Sequence, residues 1–168
     1  MKNLNKYIKE KLVVNKNYNP YKYYLKSWDE LKQIIEDRYK KLGPGTAEAP
    51  INFNDIDISG MTTFYNETKY LSIFEYSEFE YIDVSEWNVS NITNMSYMFH
   101  SCEYLKSIGD ISNWDVSSVK SMEWMFYESE NLEYVGDLSK WKLKVSNVKN
   151  MNSMFLNSKI KKPSWYKG

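Results

Sequence analysis

The chain has 168 residues, of which 42% are hydrophobic and 26% charged, and its 22 basic and 22 acidic side chains cancel at pH 7. This length fits one domain with a small appendage, and the lack of any apolar run of about 18 residues excludes a membrane-spanning helix. One cysteine, Cys102, excludes a disulfide framework and fits a reducing compartment. No signal peptide is recognisable, so we expect a cytoplasmic protein, or a cell-surface protein if a signal has been removed.

The charges are distributed unevenly along the chain. Residues 1–44 carry 11 basic and 5 acidic side chains, residues 45–140 carry 4 and 17, and residues 141–168 carry 7 and none. Blocks of opposite sign indicate either internal complementarity or attraction of a charged partner. Arginine, the preferred residue for phosphate and guanine, occurs once. Nucleic-acid binding through the basic ends is therefore only an alternative.

The first predicted helix covers residues 3–14. Leu4, Ile8 and Leu12 recur with helical spacing and form one apolar stripe among lysines. Residues 15–24, which contain three asparagines and a proline, are predicted to form a loop between this helix and the next.

A second helix is predicted to begin after Ser27, because Ser27 and Glu30 form a capping box. Gly43 suits its C-terminal cap, and the proline that follows ends it. We expect residues 1–44 to form a helical cap over the first end of the region that follows. The apolar face of the second helix comprises Leu31, Ile34, Ile35, Tyr39 and Leu42.

Residues 51–158 contain a repeat with a period of about 27 residues. Trp87, Trp114 and Trp141 mark three copies, and Met61 stands at the tryptophan position of a degenerate first copy. A fixed period of this length is typical of a solenoid, in which each unit buries its apolar side by stacking on the next. We number the units 1 to 4, over residues 56–82, 83–109, 110–136 and 137–158, and expect residues 159–168 to form a basic C-terminal cap.

Each unit is predicted to contain a short helical turn and a short strand. Met95, Met98 and Phe99 recur at helical spacing, which indicates one or two helical turns. The segment from Cys102 to Ile108 is the predicted strand. Parallel strands, one from each unit, would form a narrow curved sheet.

The repeated phrase resembles the BspA-like leucine-rich-repeat family of bacterial surface proteins and mycoplasma-type lipoproteins. It reads Asp-(Val/Ile/Leu)-Ser-x-Trp, followed by Met-x-x-Met-Phe, over about residues 56–158. The resemblance implies an α+β fold, a leucine-rich-repeat-like solenoid with short parallel strands and short helical turns. It also implies adhesion or protein binding without catalysis. The chain lacks the signal peptide and lipobox of the surface proteins.

Residues 1–12 are similar to short cytosolic repeat proteins of bacterial phages and mobile elements. This similarity implies a phage or mobile-element accessory protein that binds and inhibits a host protein. Such a protein could be an anti-defence inhibitor, for example an anti-CRISPR protein directed against a nucleic-acid-binding effector. The alternative is a fragment of a surface adhesin that binds a host protein or glycan.

No catalytic, cofactor-binding or metal-binding residues are predicted. His100 aligns with tyrosine and leucine in units 3 and 4, so we interpret it as a packing residue without a metal or catalytic partner. Cys102 aligns with a serine, and no basic residue adjoins it, which indicates a buried, inert thiol. An enzyme is therefore the least expected class.

Ladders of recurring residues run through the units. The tryptophans and the Met-Phe groups are interpreted as stacked core, with a carbohydrate-binding platform as the alternative. The aspartates and serines are interpreted as turn residues, with a cation site as the alternative. The polar ladders comprise Asp83, Asp110, Asp137, Ser85, Ser112 and Ser139.

The remaining positions vary between units and are the candidates for selecting a partner. We predict a non-enzymatic interaction protein, monomeric, whose acidic surface contacts a protein with a basic surface. Tyrosine is enriched at binding hot spots, which favours the two tyrosines of this set. The predicted partner-binding residues are Glu103, Tyr104, Lys106, Glu130, Asn131, Glu133 and Tyr134.

Overall fold

The computed structural model describes residues 22–141 and 144–167, and the predicted helix over residues 3–14 lies outside them. No helix in these described ranges is long and apolar enough to cross a membrane. Every named strand has two residues. The elements are β1 (Tyr23–Tyr24), α1 (Trp28–Leu42), β2 (Ile51–Asn52), β3 (Ile56–Asp57), β4 (Tyr65–Asn66), β5 (Leu71–Ser72), β6 (Ile82–Asp83) and the 3₁₀ helices Leu138–Trp141 and Val145–Asn147.

Both ends of α1 are capped at the predicted residues. The side chain of Ser27 accepts a hydrogen bond from the N–H of Glu30 at 3.3 Å. Gly43 has a φ of +75°, and its N–H donates to Tyr39 O at 2.8 Å. The carboxylate of Glu30, however, accepts from the N–H of Lys26 at 3.4 Å and not from Ser27. The predicted helix limits are thus confirmed, and one half of the capping box is displaced by a residue.

The apolar face of α1 is confirmed except at its last residue. Leu31 and Ile35 are buried, and Ile34 and Tyr39 pack against the core. Leu42 is 57% exposed, which contradicts its predicted place on this face. The last ring of the helix to meet unit 1 is Tyr39, which packs edge-to-face on Phe79 with centroids 5.2 Å apart. Leu42 lies almost one turn beyond this contact.

Successive units are joined side by side through parallel backbone pairing. β1 pairs with β3, and β2 pairs with β6, both in parallel, while β4 and β5 form an antiparallel pair. Beyond these strands, single-residue bridges continue the pairing in two columns. One column runs through Tyr81, Ser107 and Tyr134, and the other runs through Thr63, Asn94, Ser121 and Asn150.

The hydrogen bonds of the second column have a direction. Alternate N–H groups of one unit donate to alternate carbonyls of the following unit, at distances of 2.8 to 3.1 Å. The donors of unit 2 are Met95, Tyr97, Phe99 and Ser101, and the donors of unit 3 are Met122, Trp124, Phe126 and Glu128. Along this stretch each unit therefore donates N–H groups to the unit after it, whereas just before the stretch the N–H of Lys120 donates back to Thr93 O at 2.8 Å.

The predicted helical turn and strand take other forms. The Met-x-x-Met-Phe segments are turns without a helix, because the N–H groups of Met95 and Phe99 bond to the next unit, while the N–H of Met98 closes a single turn on Met95 O. The apolar spacing reflects a tight turn that buries Met95, Met98 and Phe99 together. The predicted strand after Cys102 consists of turns with a single bridge at Ser107.

The tryptophan and phenylalanine ladders form the core, as predicted. Trp87, Trp114 and Trp141 are at most 3% exposed, and each indole N–H donates to a carbonyl of the preceding part of the chain at 2.8 to 3.2 Å. This burial excludes the carbohydrate platform for these rings. The phenylalanine ladder comprises Phe74, Phe99, Phe126 and Phe155, with neighbouring centroids 5.4 to 5.7 Å apart.

Residues 159–167 continue both ladders at the C-terminal end. Trp165 stacks on Trp141 with centroids 6.4 Å apart, and its indole N–H donates to Leu138 O at 2.7 Å. Tyr166 meets Phe155 edge-to-face at 5.0 Å. These contacts shield the last large rings of the core from water.

Candidate functional site

All seven predicted partner-binding residues lie on one exposed side of units 2 and 3. A depression of about 340 Å³ is lined by Glu103, Tyr104, Glu130 and Asn131, together with Glu128. A second depression, of about 430 Å³, is lined by Asn131 again and by Lys106, Glu133 and Tyr134, together with Tyr81 and Ser107. Because Asn131 borders both, we treat the seven predicted residues as one surface, the acidic tyrosine face.

Contacts between units hold this face in place. The side-chain amide of Asn131 donates to Glu103 O at 2.7 Å, which ties unit 3 to unit 2. Leu105 and Leu132, next to the exposed residues, are fully buried and anchor the two turns. The face is therefore presented on packed turns, so that little conformational entropy remains to be lost when a partner binds.

The electrostatic character of the face is acidic. Lys106 Nζ lies 2.6 Å from a carboxylate oxygen of Glu80, and this hydrogen bond raises the lysine pKa. Lys159 reaches Glu133 at 3.2 Å. Of the remaining carboxylates of the two depressions, those of Glu103 and Glu130 are exposed and that of Glu128 is half-buried.

Two tyrosines give the face its contact area. Tyr104 is 57% exposed and Tyr134 is 53% exposed, although each is followed by a buried residue. A tyrosine ring supplies large apolar area with one polar group, so an exposed tyrosine on a fixed turn is suited to protein recognition.

A second surface feature, which the sequence did not predict, is a stack of rings on units 1 to 3. The aromatic stack comprises Tyr65, Tyr97, His100, Trp124 and Tyr127. Tyr65 stacks on Tyr97 with centroids 5.4 Å apart, and Tyr97 meets Trp124 at 5.3 Å. His100 stacks on Tyr127 at 5.2 Å. The stack adjoins the acidic tyrosine face at Glu128, which follows Tyr127 and lines the first depression.

The backbone beneath the aromatic stack is left-handed at two of its rings. Tyr97 has a φ of +61° and Trp124 a φ of +56°, a region that bulky side chains rarely adopt. Both occupy the second variable position of Met-x-x-Met, where unit 4 has Ser153 at +52°. Aromatic residues between the two methionines were the available signal, but nothing in the residue types indicates a positive φ.

His100 is a packing residue, as predicted. It is 7% exposed, and it stacks on Trp124 as well as on Tyr127. Its Nδ1 lies 3.4 Å from a carboxylate oxygen of Glu75 but forms no hydrogen bond within the described residues. Burial lowers the pKa of His100 and raises the pKa of Glu75, so both shifts favour the neutral forms.

Cys102 is buried, as predicted. Its thiol is fully inaccessible and lies 3.0 Å from Phe74 O. Burial raises the pKa of the thiol to about 11, so the reactive thiolate is scarce at neutral pH.

The polar ladders form turns, as predicted. In each case an aspartate oxygen accepts from the N–H of the serine two residues later, at 2.9 to 3.0 Å. Hydrogen bonds from the hydroxyl and from the backbone N–H of these serines hold the pKa of Asp110 and of Asp137 below the usual range. Across the described ranges, no group of three histidine, cysteine or acidic side chains is arranged to hold a metal ion.

Comparison with known proteins identifies one relationship. A family model described as "Mycoplasma protein of unknown function, DUF285" matches residues 51–165, which is more than half of the chain. The matched range contains all four units and most of the C-terminal cap. No curated protein and no solved structure matches the chain.

Proposed function

This chain belongs to the DUF285 family of Mycoplasma proteins of unknown function, and we propose that it is a non-enzymatic module that binds another protein. In this proposal the units form a leucine-rich-repeat-like solenoid, and the acidic tyrosine face makes the contact. One observation carries the proposal: Tyr104 and Tyr134 are more than half exposed among carboxylates on packed turns. Tyrosines held loosely at a surface would lose more conformational entropy when a partner binds.

The charge of the face supports a basic partner. Residues 45–140 carry 17 acidic and 4 basic side chains, and Lys106, on the face itself, is paired with Glu80. Complementary charges accelerate the encounter of two proteins and fix their relative orientation, and salt weakens this attraction. A partner with exposed lysines or arginines therefore fits this face better than an acidic or apolar one.

In its narrower form, the proposal is that the partner is a host protein that binds nucleic acid. An acidic face can occupy a groove that normally holds phosphates, and such occupation would inhibit the partner in the cytoplasm. The acidic middle of the chain, together with its single arginine, disfavours direct binding of nucleic acid by this protein.

The test compares three tagged forms of the protein in quantitative affinity capture from the native cell. The first is unchanged. The second carries Glu103→Lys, Glu130→Lys and Glu133→Lys on the acidic tyrosine face. The matched control carries three charge reversals at exposed carboxylates elsewhere, Glu36→Lys, Glu48→Lys and Glu67→Lys.

We expect one basic protein to be enriched by the unchanged form and by the control. Its enrichment by the face variant should fall about tenfold, because the contact changes from attraction to repulsion. Purified partner should then bind more weakly as salt rises. A partner captured equally by all three forms would show that another surface is used. Equal loss in both variants would show that only the total charge matters.

A further inference from the structure

The directional hydrogen bonds of the second column end at unit 4. Two extra residues in this unit shift the repeat, so that Trp124 corresponds to Ser153 and Glu128 corresponds to Asn157, both pairs with positive φ. By the same correspondence, the N–H groups that a following unit would bind are those of Met151, Ser153, Phe155 and Asn157. We call these four groups the donor edge.

The donor edge has no acceptor within residues 22–141 and 144–167. The carbonyls that alternate with these N–H groups accept from unit 3, so residues 151–157 offer N–H donors to a following chain. Asn157 is exposed, Met151 and Ser153 are half-buried, and Phe155 is buried. A row of unpaired N–H groups at alternate positions is a template for another chain, and a half-buried N–H without a partner costs about 1–3 kcal/mol.

The surroundings of the donor edge are basic. Residues 141–168 contain seven lysines and no acidic residue, in contrast to the acidic units before them. Lys149 precedes the edge, and Lys167 adjoins the tyrosine that contacts Phe155. Both lysines are exposed. A ligand of this edge must therefore supply acceptors and tolerate positive charge.

We propose that the donor edge binds an acidic segment of a partner protein, whose backbone follows the turn of unit 4. Alternate carbonyls of the segment would accept from the donor edge, as the carbonyls of unit 4 accept from unit 3, and its carboxylates would meet the lysines. Addition of a strand to an open edge is an established mode of peptide recognition. This interaction is separate from the proposed function, because it uses a different surface of opposite charge.

Two other occupants fit the chemistry less well. A second copy placed edge to edge would set donors against donors, and a head-to-tail copy would meet unit 1, which α1 covers. Residues 1–21 of the same chain carry five lysines and one glutamate, so their charge matches that of the lysines around the edge and repels them. An acidic segment of another protein supplies carbonyl acceptors for the donor edge and carries a charge opposite to that of the lysines.

The experiment is a titration of the ¹⁵N-labelled full chain, followed by proton–nitrogen NMR and sedimentation. The probe is a capped peptide of alternating Glu and Val residues, and the control probe alternates Lys and Val. We expect the acidic peptide to shift and protect the amides of the donor edge, while the protein remains monomeric. The control peptide should leave these amides unchanged.

Variants separate backbone pairing from charge. Met151→Pro removes one unpaired donor and should weaken binding of the acidic peptide about fivefold relative to Met151→Ala. Lys149→Glu with Lys167→Glu should weaken it about tenfold. Circular dichroism confirms that each variant is folded.

Four results would overturn the proposal. These are equal binding of both peptides, shifts confined to units 2 and 3, unchanged affinity in Met151→Pro, and dimerisation that protects the donor edge without peptide. Binding at the acidic tyrosine face is measured separately with its own partner, so failure here leaves the proposed function standing.

Discussion

The two ends of the stacked units are completed in opposite ways. At the N-terminal end, side chains of α1 bond to carbonyls of unit 1: Trp28 Nε1 donates to Phe64 O at 3.0 Å, and Lys32 Nζ donates to Ile73 O at 3.0 Å. At the C-terminal end, the donor edge has no acceptor within the described residues. The rings of both ends are covered, but only at the N-terminal end do side chains of the cap bond to the open backbone groups described here.

The difference follows from which groups each end exposes. Carbonyls can be satisfied by lysine, arginine or tryptophan, and α1 supplies these donors. N–H groups need acceptors such as carboxylates, and residues 141–168 have none among their charged side chains. A cap built from lysines and aromatic rings can therefore close the core at the C-terminal end without closing its backbone.

The largest expected effect comes from the side chain that joins unit 4 to the C-terminal cap. Trp141 is fully buried, bonds to Ile111 O and stacks on Trp165. Trp141→Ala should lower the free energy of unfolding by about 4 kcal/mol in urea titrations. The matched change at the other end, Trp28→Ala, removes a half-buried ring and should cost about half as much. A larger loss at Trp28 would show that the N-terminal end dominates stability.

Proline substitution at equivalent positions tests the open backbone directly. Met122 donates its N–H to Asn150 O at 2.8 Å, whereas the N–H of Met151 has no acceptor in the described chain. Relative to alanine at the same site, Met122→Pro should cost about 3 kcal/mol of unfolding free energy, and Met151→Pro less than about 1. Equal costs measured by chemical denaturation would mean that the N–H of Met151 is bonded in solution.

A smaller effect is expected where α1 satisfies a carbonyl. Burial lowers the pKa of Lys32, while its amine still donates to Ile73 O. Lys32→Met keeps the aliphatic packing and removes this bond, so it should lower the free energy of unfolding by about 1 kcal/mol. Lys40→Met, on the exposed side of the same helix, is the control and should change stability little. Thermal unfolding of both variants distinguishes a capping lysine from a solvated one.

The smallest expected effect is a pH dependence of the unfolding free energy. It arises at His100, in the units between the two ends. The pKa of His100 is lowered from 6.5 by burial, so the folded state favours neutral imidazole. The stability contributed by neutral His100 is complete above pH 6.5. It is lost as the pH falls through the lower pKa that His100 has in the folded state. The raised pKa of Glu75 has the opposite effect on stability. The stability contributed by its neutral carboxyl is present below pH 4.5 and is lost as the pH rises through its pKa in the folded state.

Replacement of the imidazole isolates the first of these effects. His100→Phe retains a stacking ring that cannot titrate, so the loss of unfolding free energy between pH 7 and pH 5 should be smaller than in the unchanged protein. Urea titrations at the two pH values measure this difference. An identical loss would assign the acid sensitivity to other groups.

The parts of the fold that were predictable from sequence are those with a local or periodic cause. Ser27 and Gly43 mark the helix ends through their own hydrogen bonds and dihedral angles. Trp114 and Trp141 recur at the unit period and are buried, because each must occupy the same place in its unit. The seven face residues were selected as positions that vary between units, and they lie together on one exposed side.

The parts that were not predictable depend on backbone geometry between units. Met95 and Met98 have helical spacing, but the N–H of Met95 bonds to the next unit, which replaces a helix by turns. Tyr97 and Trp124 adopt positive φ without glycine or asparagine, so residue type conveys nothing of their conformation. The aromatic stack and the donor edge both arise from these turns and require the structure to be seen.

The indole hydrogen bonds of the repeat units and of the C-terminal cap reach backwards along the chain. From Trp87 onwards, each tryptophan that marks a unit or the cap donates to a carbonyl that precedes it by 27 to 34 residues. On the ribosome, each acceptor is therefore already synthesised when its tryptophan emerges. Folding can proceed layer by layer behind translation, with each completed unit serving as the surface on which the next one is deposited.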